Sequence, residues 1–167
     1  WQKRSLFEES TRVPLLMLVP GMEGGRVVPA PVSQIDIFPT LTELCGLQAP
    51  ANLQGQSLVP MLKDPAAPGR EWALTQVYRW EKGEPFFGYS IRTPRWRYSE
   101  WDEGRRGVEL YDHQTDPGEF INLAGDPEHA GVVSDLAARL RAAVRLSQPS
   151  APLPEVERTW GPRLFLP

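Results

Sequence analysis

The sequence predicts an α/β chain built in two unlike parts. A strand, loop and helix belonging to a layered α/β domain come first, and a small antiparallel sheet packed with a helix follows. Three observations carry this. Val13 to Val19 is a near-continuous apolar run held between prolines, as in a strand buried on both faces. "EWALTQVYRW", "FFGYSIRTPRWRYSEW" and "GVELYDH" are rich in aromatic and β-branched residues and are separated by turn sequences. "DPEHAGVVSDLAARLRAAVRL" carries a helical apolar stripe with caps at both ends.

Each element follows from local chemistry. After the first run, "PGMEGGRVVPAP" is a loop, because glycine and proline interrupt both regular structures. In "VSQIDIFPTLTELCGLQAP", Asp36 is an N-cap and Pro39 sits in the first turn, where a missing N–H does no harm. Phe38, Leu41, Leu44 and Cys45 share one helical face, which makes Cys45 a buried structural thiol, and Gly46 stops the helix. "NLQGQSLVPMLKDPAAPGR" reads as irregular, with one helical turn at Leu58 to Leu62. Next come three or four antiparallel strands, turned at "EKGEP" and "DEGRRG", with Pro94 marking an edge or a break. In the last helix Asp126 caps, Pro127 opens, and Val133, Leu136, Leu140 and Val144 form the stripe. Arg139, Arg141 and Arg145 complement its negative end. The tail is proline-rich and extended, and its Trp160, Leu164 and Phe165 offer apolar groups to the core or to a partner.

Composition narrows the function. With 41% hydrophobic and 23% charged residues, 167 residues suffice for a packed core. A net charge of -3 gives no reason to expect nucleic acid, and no apolar run approaches membrane-spanning length. A single cysteine excludes both an internal disulfide and a multi-cysteine zinc cluster. Nucleophile elbow, P-loop and dinucleotide fingerprint are all missing.

The remaining candidates are few. Asp112 and His113 in "YDH" are a conceivable ligand pair, but no ligand cluster accompanies them in sequence, and a strand ending in a turn capped by Asp112 and Asp116 is preferred. His129 in the first turn of the last helix is read as exposed. Arg95 and Arg97 should share a strand face opposite Trp96, where guanidinium forks suit sulfate or carboxylate. The preferred reading leaves these charged residues facing solvent or pairs them with Glu100 and Asp102. Lys3 taken alone is an ordinary solvated lysine.

Four stretches in register resemble the sulfatases of the alkaline-phosphatase-like superfamily. "WQKRSLFEESTRVPLLMLVPG" is similar to the segment that follows their second metal-ligand cluster, with Lys3, Glu8 or Glu9, and Arg12 to Leu15 in place. "VSQIDIFPTLTELCGLQAP" resembles their Asp-x-x-Pro-Thr segment, "NLQGQSLVPML" their Gly-x-Ser-Leu loop, and "ELYDHQTDPGEFINLA" their C-terminal signature. Within the family "GYSIRTPRWRYSEW" looks most like iduronate-2-sulfatase. The resemblance implies that residues 1–62 end an alkaline-phosphatase-like α/β domain, that 70–146 form a C-terminal antiparallel-sheet and helix subdomain, and that 147–167 are a tail. It implies that Lys3 binds a sulfate oxygen, and that Trp1, Arg4 and Arg95, or Arg92 or Arg97, meet substrate. Calcium and formylglycine would lie in an N-terminal part that this chain does not contain. Cys45, followed by "GLQAP", is not the formylglycine motif, and no metal ligand is expected here. The expected partners are that N-terminal part of the sulfatase, a sulfated carbohydrate and, through the exposed face, a second copy, with no nucleic acid and no membrane. By resemblance the compartment is periplasmic, secreted or lysosomal. A phosphodiesterase or phosphonate hydrolase of the same superfamily, or a stand-alone carbohydrate-binding module, is the alternative.

Overall fold

The C-terminal strands form a four-stranded antiparallel meander. The structure, a computed structural model, describes residues 4–148. Strand β1 (Ala73–Glu81) turns through Lys82 and Gly83, both at positive φ, into β2 (Glu84–Arg92). This two-residue turn has the twist that suits a right-handed hairpin. Thr93 to Arg95 then separates β2 from β3 (Trp96–Trp101), so Pro94 marks a break. β4 (Val108–Asp112) completes the order β1-β2-β3-β4.

The register puts Leu74, Ile91, Tyr98 and Leu110 in one cross-strand row. That row meets Leu136, Ala137 and Leu140 of the long helix Ala130–Ser147, and Val133 and Val144 pack at its margin. Burial of this apolar row is the chief source of stability in this half. Asp126 caps the 3-10 turn at Pro127–His129 by accepting from the Glu128 N–H at 2.9 Å. His129 is not exposed as expected. It is half-buried, hydrogen-bonded to Asp126 and edge-on to Trp96 at 5.8 Å.

The opposite sheet face is polar, since alternation puts Ser90, Arg97 and Ser99 there. It is nonetheless buried, because the first described residues fold over it. These include the single helical turn α1 (Glu8–Thr11).

The stretch before β1 departs from expectation in two places. Val13 to Val19 forms no strand, and Leu16 and Leu18 are 87% and 94% exposed. An apolar strand needs flanking strands to pair its backbone, and the described residues supply none. In helix α2 (Ile37–Leu44) the buried positions are Pro39, Thr40 and Thr42, while Phe38, Leu41 and Cys45 are exposed. Hydrogen bonding explains the reversal. The Thr40 hydroxyl donates to the Asp36 carbonyl and accepts from the Leu58 N–H at 2.8 Å, which ties that face to the next loop. Asp36 stands at the N-cap position, but its carboxylate does not cap α2. It accepts from the N–H groups of Ser33 and Gln56, each at 2.8 Å, and pairs with Arg70. Gly46, at φ +67°, ends the helix, with Leu47 N–H donating to the Thr42 carbonyl. Helix α3 (Val59–Lys63) is the expected short turn, and the long C-terminal helix is α4. Among the described residues no helix is long and apolar enough to cross a membrane.

Candidate functional site

Two anchors fix the N-terminal segment on the sheet. Leu6 is the first, 2% exposed and seated where β2 has Gly88. A Cβ at Gly88 would lie 2.5 Å from the Trp101 ring and 3.0 Å from Leu6, so only glycine admits this approach.

Glu8 is the second anchor and the centre of a buried polar knot. Its carboxylate accepts from Arg92 Nε at 3.1 Å and from Arg97 Nη2, and its backbone N–H donates to Glu119 at 2.7 Å. Arg97 uses its whole fork. Nε donates to Glu119, Nη1 to Ser90 at 3.2 Å, and Nη2 also to Thr11 at 2.9 Å. His113 Nε2 lies 2.9 Å from the same Glu119 carboxylate. Glu119 holds this position at φ +58°, a left-handed backbone that non-glycine residues seldom adopt. Burial pushes the Glu8 carboxyl upward, but Arg92 and Arg97 more than offset it and leave it below the ordinary carboxylate range.

Beside the knot, Arg95 grips Asp112 with a two-pronged fork, Nε at 3.0 Å and Nη2 at 2.7 Å. Its guanidinium also stacks 4.4 Å from the centre of the Trp96 ring. Hydrogen bonding from Arg95 holds the Asp112 carboxyl low, and the Gln114 N–H adds to it. Asp112 thus does cap the turn, and Asp116 accepts from the Ile121 N–H at 2.8 Å.

The predicted site residues fare unequally. Trp1 and Lys3 lie outside the described residues. Arg4 is exposed, and Arg95 is half-exposed with its fork spent on Asp112. Arg95 and Arg97 do not share a face, because Arg95 belongs to the turn before β3 and Arg97 to the strand. Neither Glu100 nor Asp102 is their partner: Glu100 binds Arg141 and the Tyr98 hydroxyl, and Asp102 binds Arg105 and Arg106. Arg92 and Arg97 serve the knot. Of the two glutamates of the first motif, Glu8 is the one engaged with Arg92 and Arg97, while Glu9 is exposed.

Sequence reasoning missed Glu119 and His113. In sequence His113 has no companion ligands, yet folding brings Glu8 and Glu119 to it, with ligand atoms of all three within 4.8 Å of one another. A charge-dense trio of this kind invites a metal. Calcium does not fit, because the Arg97 guanidinium already pairs with both carboxylates and the third donor is an imidazole. Cys45, exposed at the end of α2, is not a member of this trio. No chemistry of calcium or of a converted cysteine is therefore assigned to the described residues.

The family model for "N-sulphoglucosamine sulphohydrolase, C-terminal" matches residues 1–145. Arylsulfatase K of Mus musculus is 32% identical over 157 residues, covering 89% of this chain and 28% of the relative. A solved 2-O GAG sulfatase superposes with TM-score 0.58 at 32% identity, over 66% of this chain and 24% of that one. The phosphonate monoester hydrolase of Agrobacterium radiobacter superposes with TM-score 0.52 at 29% identity, over the same shares. The chain thus spans about a quarter of the length of the relatives it matches. The sheet packed against α4 corresponds to the C-terminal region of sulfatase structures. With the motifs in order and the family model matching all of them, the chain belongs to the sulfatase family as its C-terminal portion.

Proposed function

We propose that this chain completes a sulfate-ester hydrolase acting on a sulfated sugar, such as iduronate 2-sulfate, and is inactive without the α/β portion that carries nucleophile and calcium. The carrying observation is the family match across residues 1–145, which includes the segment bearing Lys3. In this reading Lys3 grips a sulfate oxygen, and its ammonium offsets charge that builds on the leaving oxygen. Trp1 and Arg4 line the pocket mouth. Arg95, whose fork to Asp112 uses Nε and Nη2, meets a uronate carboxylate with what remains of its guanidinium. Likeness to a 2-O GAG sulfatase supports the sugar and the sulfate position. Exposed Leu16, Leu18, Phe38 and Leu41 support a missing α/β partner, because a covering element would take these large apolar side chains out of water.

Turnover of 4-nitrocatechol sulfate tests the reading. The chain alone should be inert, and the complete protein active and crippled by Lys3→Ala. Turnover by the isolated chain, or full activity of the Lys3→Ala enzyme, overturns it. Likeness to a phosphonate monoester hydrolase favours one competing reading, which predicts that the complete protein prefers a phosphonate monoester to the sulfate. Salt-sensitive retention on heparin by the chain alone would instead indicate a stand-alone binding module.

A further inference from the structure

On the polar face of the sheet, Leu6 is seated at Gly88. Beside that point and toward the β1–β2 turn, the same face carries Arg79, Phe86 and Trp101. Arg79 and Phe86 are register partners, and Trp101 stands opposite Gly88. All three side chains are half-buried, so they are held in place yet reachable from solvent. Cations and rings alternate here. The Arg79 guanidinium lies over the Trp101 ring at 5.7 Å, the Trp101 and Phe86 rings are 6.3 Å apart, and Arg106 lies over Phe86 at 4.3 Å.

The two arginines differ in what satisfies them. Arg106 pairs with Glu81 and, at 3.2 Å, with Asp102. Arg92, Arg95, Arg97 and Arg141 likewise each hold a carboxylate. Among the described residues Arg79 meets no carboxylate and no hydrogen-bond acceptor. None of their buried side-chain nitrogens lacks a partner, so the free N–H groups of Arg79 open to solvent. Arg145 also meets no carboxylate, but it stands in the last turn of α4, where the carbonyl ends suit its charge. Contact with the indole steadies the Arg79 fork without consuming its N–H donors. Such a fork matches the oxygens of a sulfate, and half-exposed rings beside it offer apolar surface to the C–H groups of a sugar.

We propose that Arg79, Trp101 and Phe86 form a binding site for a sulfated sugar ring. The Arg79 fork donates to the sulfate, and the sugar carbons meet the two aromatic rings. Arg106, already paired, packs against Phe86 and leaves the anion to Arg79. The choice of a sulfated sugar rests on the sulfatase reading above. The choice of an anion rests on the unpaired fork.

The test titrates the 167-residue chain with N-acetylglucosamine 6-sulfate and follows the Arg79 Nε–H and Trp101 indole N–H signals by NMR. Both signals should shift to saturation. N-acetylglucosamine should move neither, and inorganic sulfate should bind about tenfold more weakly than the sulfated sugar. Arg79→Ala should weaken binding of the sulfated sugar about tenfold. Arg79→Lys, which keeps the charge and loses the fork, should fall between Arg79→Ala and wild type. Arg145→Ala should bind as wild type does, and circular dichroism checks that each variant is folded. Wild-type affinity in folded Arg79→Ala overturns the proposal. So does a loss in Arg145→Ala as large as that in Arg79→Ala, which would mark general charge attraction. Inorganic sulfate binding as tightly as the sugar would mean an adventitious ion only, and overturns it too. The complete protein should show the same dependence on Arg79. Binding that the chain shows and the complete protein lacks would mean that the α/β portion covers this face, against the proposal. Failure of the sulfatase reading is a separate result: the complete protein would then leave 4-nitrocatechol sulfate unhydrolysed, whatever the titration of Arg79 gives.

Discussion

The two halves of this molecule use similar apolar content in opposite ways. From β1 onward, the strand row Leu74, Ile91, Tyr98, Leu110 is closed by α4, and the core is complete within the chain. Before β1, among the described residues, Leu6, Pro39, Leu58, Val59 and Met61 are buried, while Leu15, Leu16, Leu18, Val27, Phe38 and Leu41 face outward. The difference teaches that hydrophobicity alone does not bury a residue. Leu140 and Leu18 are the same amino acid, yet one is 1% exposed and the other 94%. What separates them is a covering element.

The largest way to stress this contrast is Arg97→Ala. It removes the cation between Glu8 and Glu119 and should destabilise the chain by about 3–5 kcal/mol, the usual result of orphaning a buried charge. Urea unfolding measures it, and a loss under 1 kcal/mol would mean that the knot is solvated. Leu140→Ala should come next, with about 2–5 kcal/mol for the cavity left under the sheet. Its counterpart Leu18→Ser should stay within about 0.5 kcal/mol in the isolated chain. If instead Leu18→Ser destabilises as Leu140→Ala does, the outward face is covered in solution, by a second copy for instance. Sedimentation of both variants distinguishes these cases.

Acid titration gives the smallest effect. Glu8 is held below its ordinary value of 4.5, so its stabilisation is fully present above pH 4.5 and is lost as pH falls through the lower folded value. Glu8→Gln should flatten that acid limb. An identical pH profile in wild type and variant would show that Glu8 is not the titrating group.

Legibility followed the locality of each signal. Turns at Lys82–Gly83, the cap at Asp126 and the stripe of α4 were readable because their causes lie within a few residues. The Glu8 to Arg97 and Glu119 bonds were not, since they join residues 89 and 111 positions apart. Even so, both ends sit inside motifs that the sequence displayed: Glu8 in the first and Glu119 in "DPGEF". α2 misled because its apolar stripe follows a helical period, while hydrogen bonds of Thr40 decided which face turned inward.

By itself the sequence determined the family, the order of elements in the C-terminal half and the caps and turns that bound them. These depend on backbone preference and short-range periodicity. Tertiary structure alone decided which arginine meets which carboxylate, that Glu8 rather than Glu9 is engaged, and that Val13 to Val19 stays unpaired. Burial and charge pairing are properties of neighbours in space, and a linear pattern names the candidates without choosing among them.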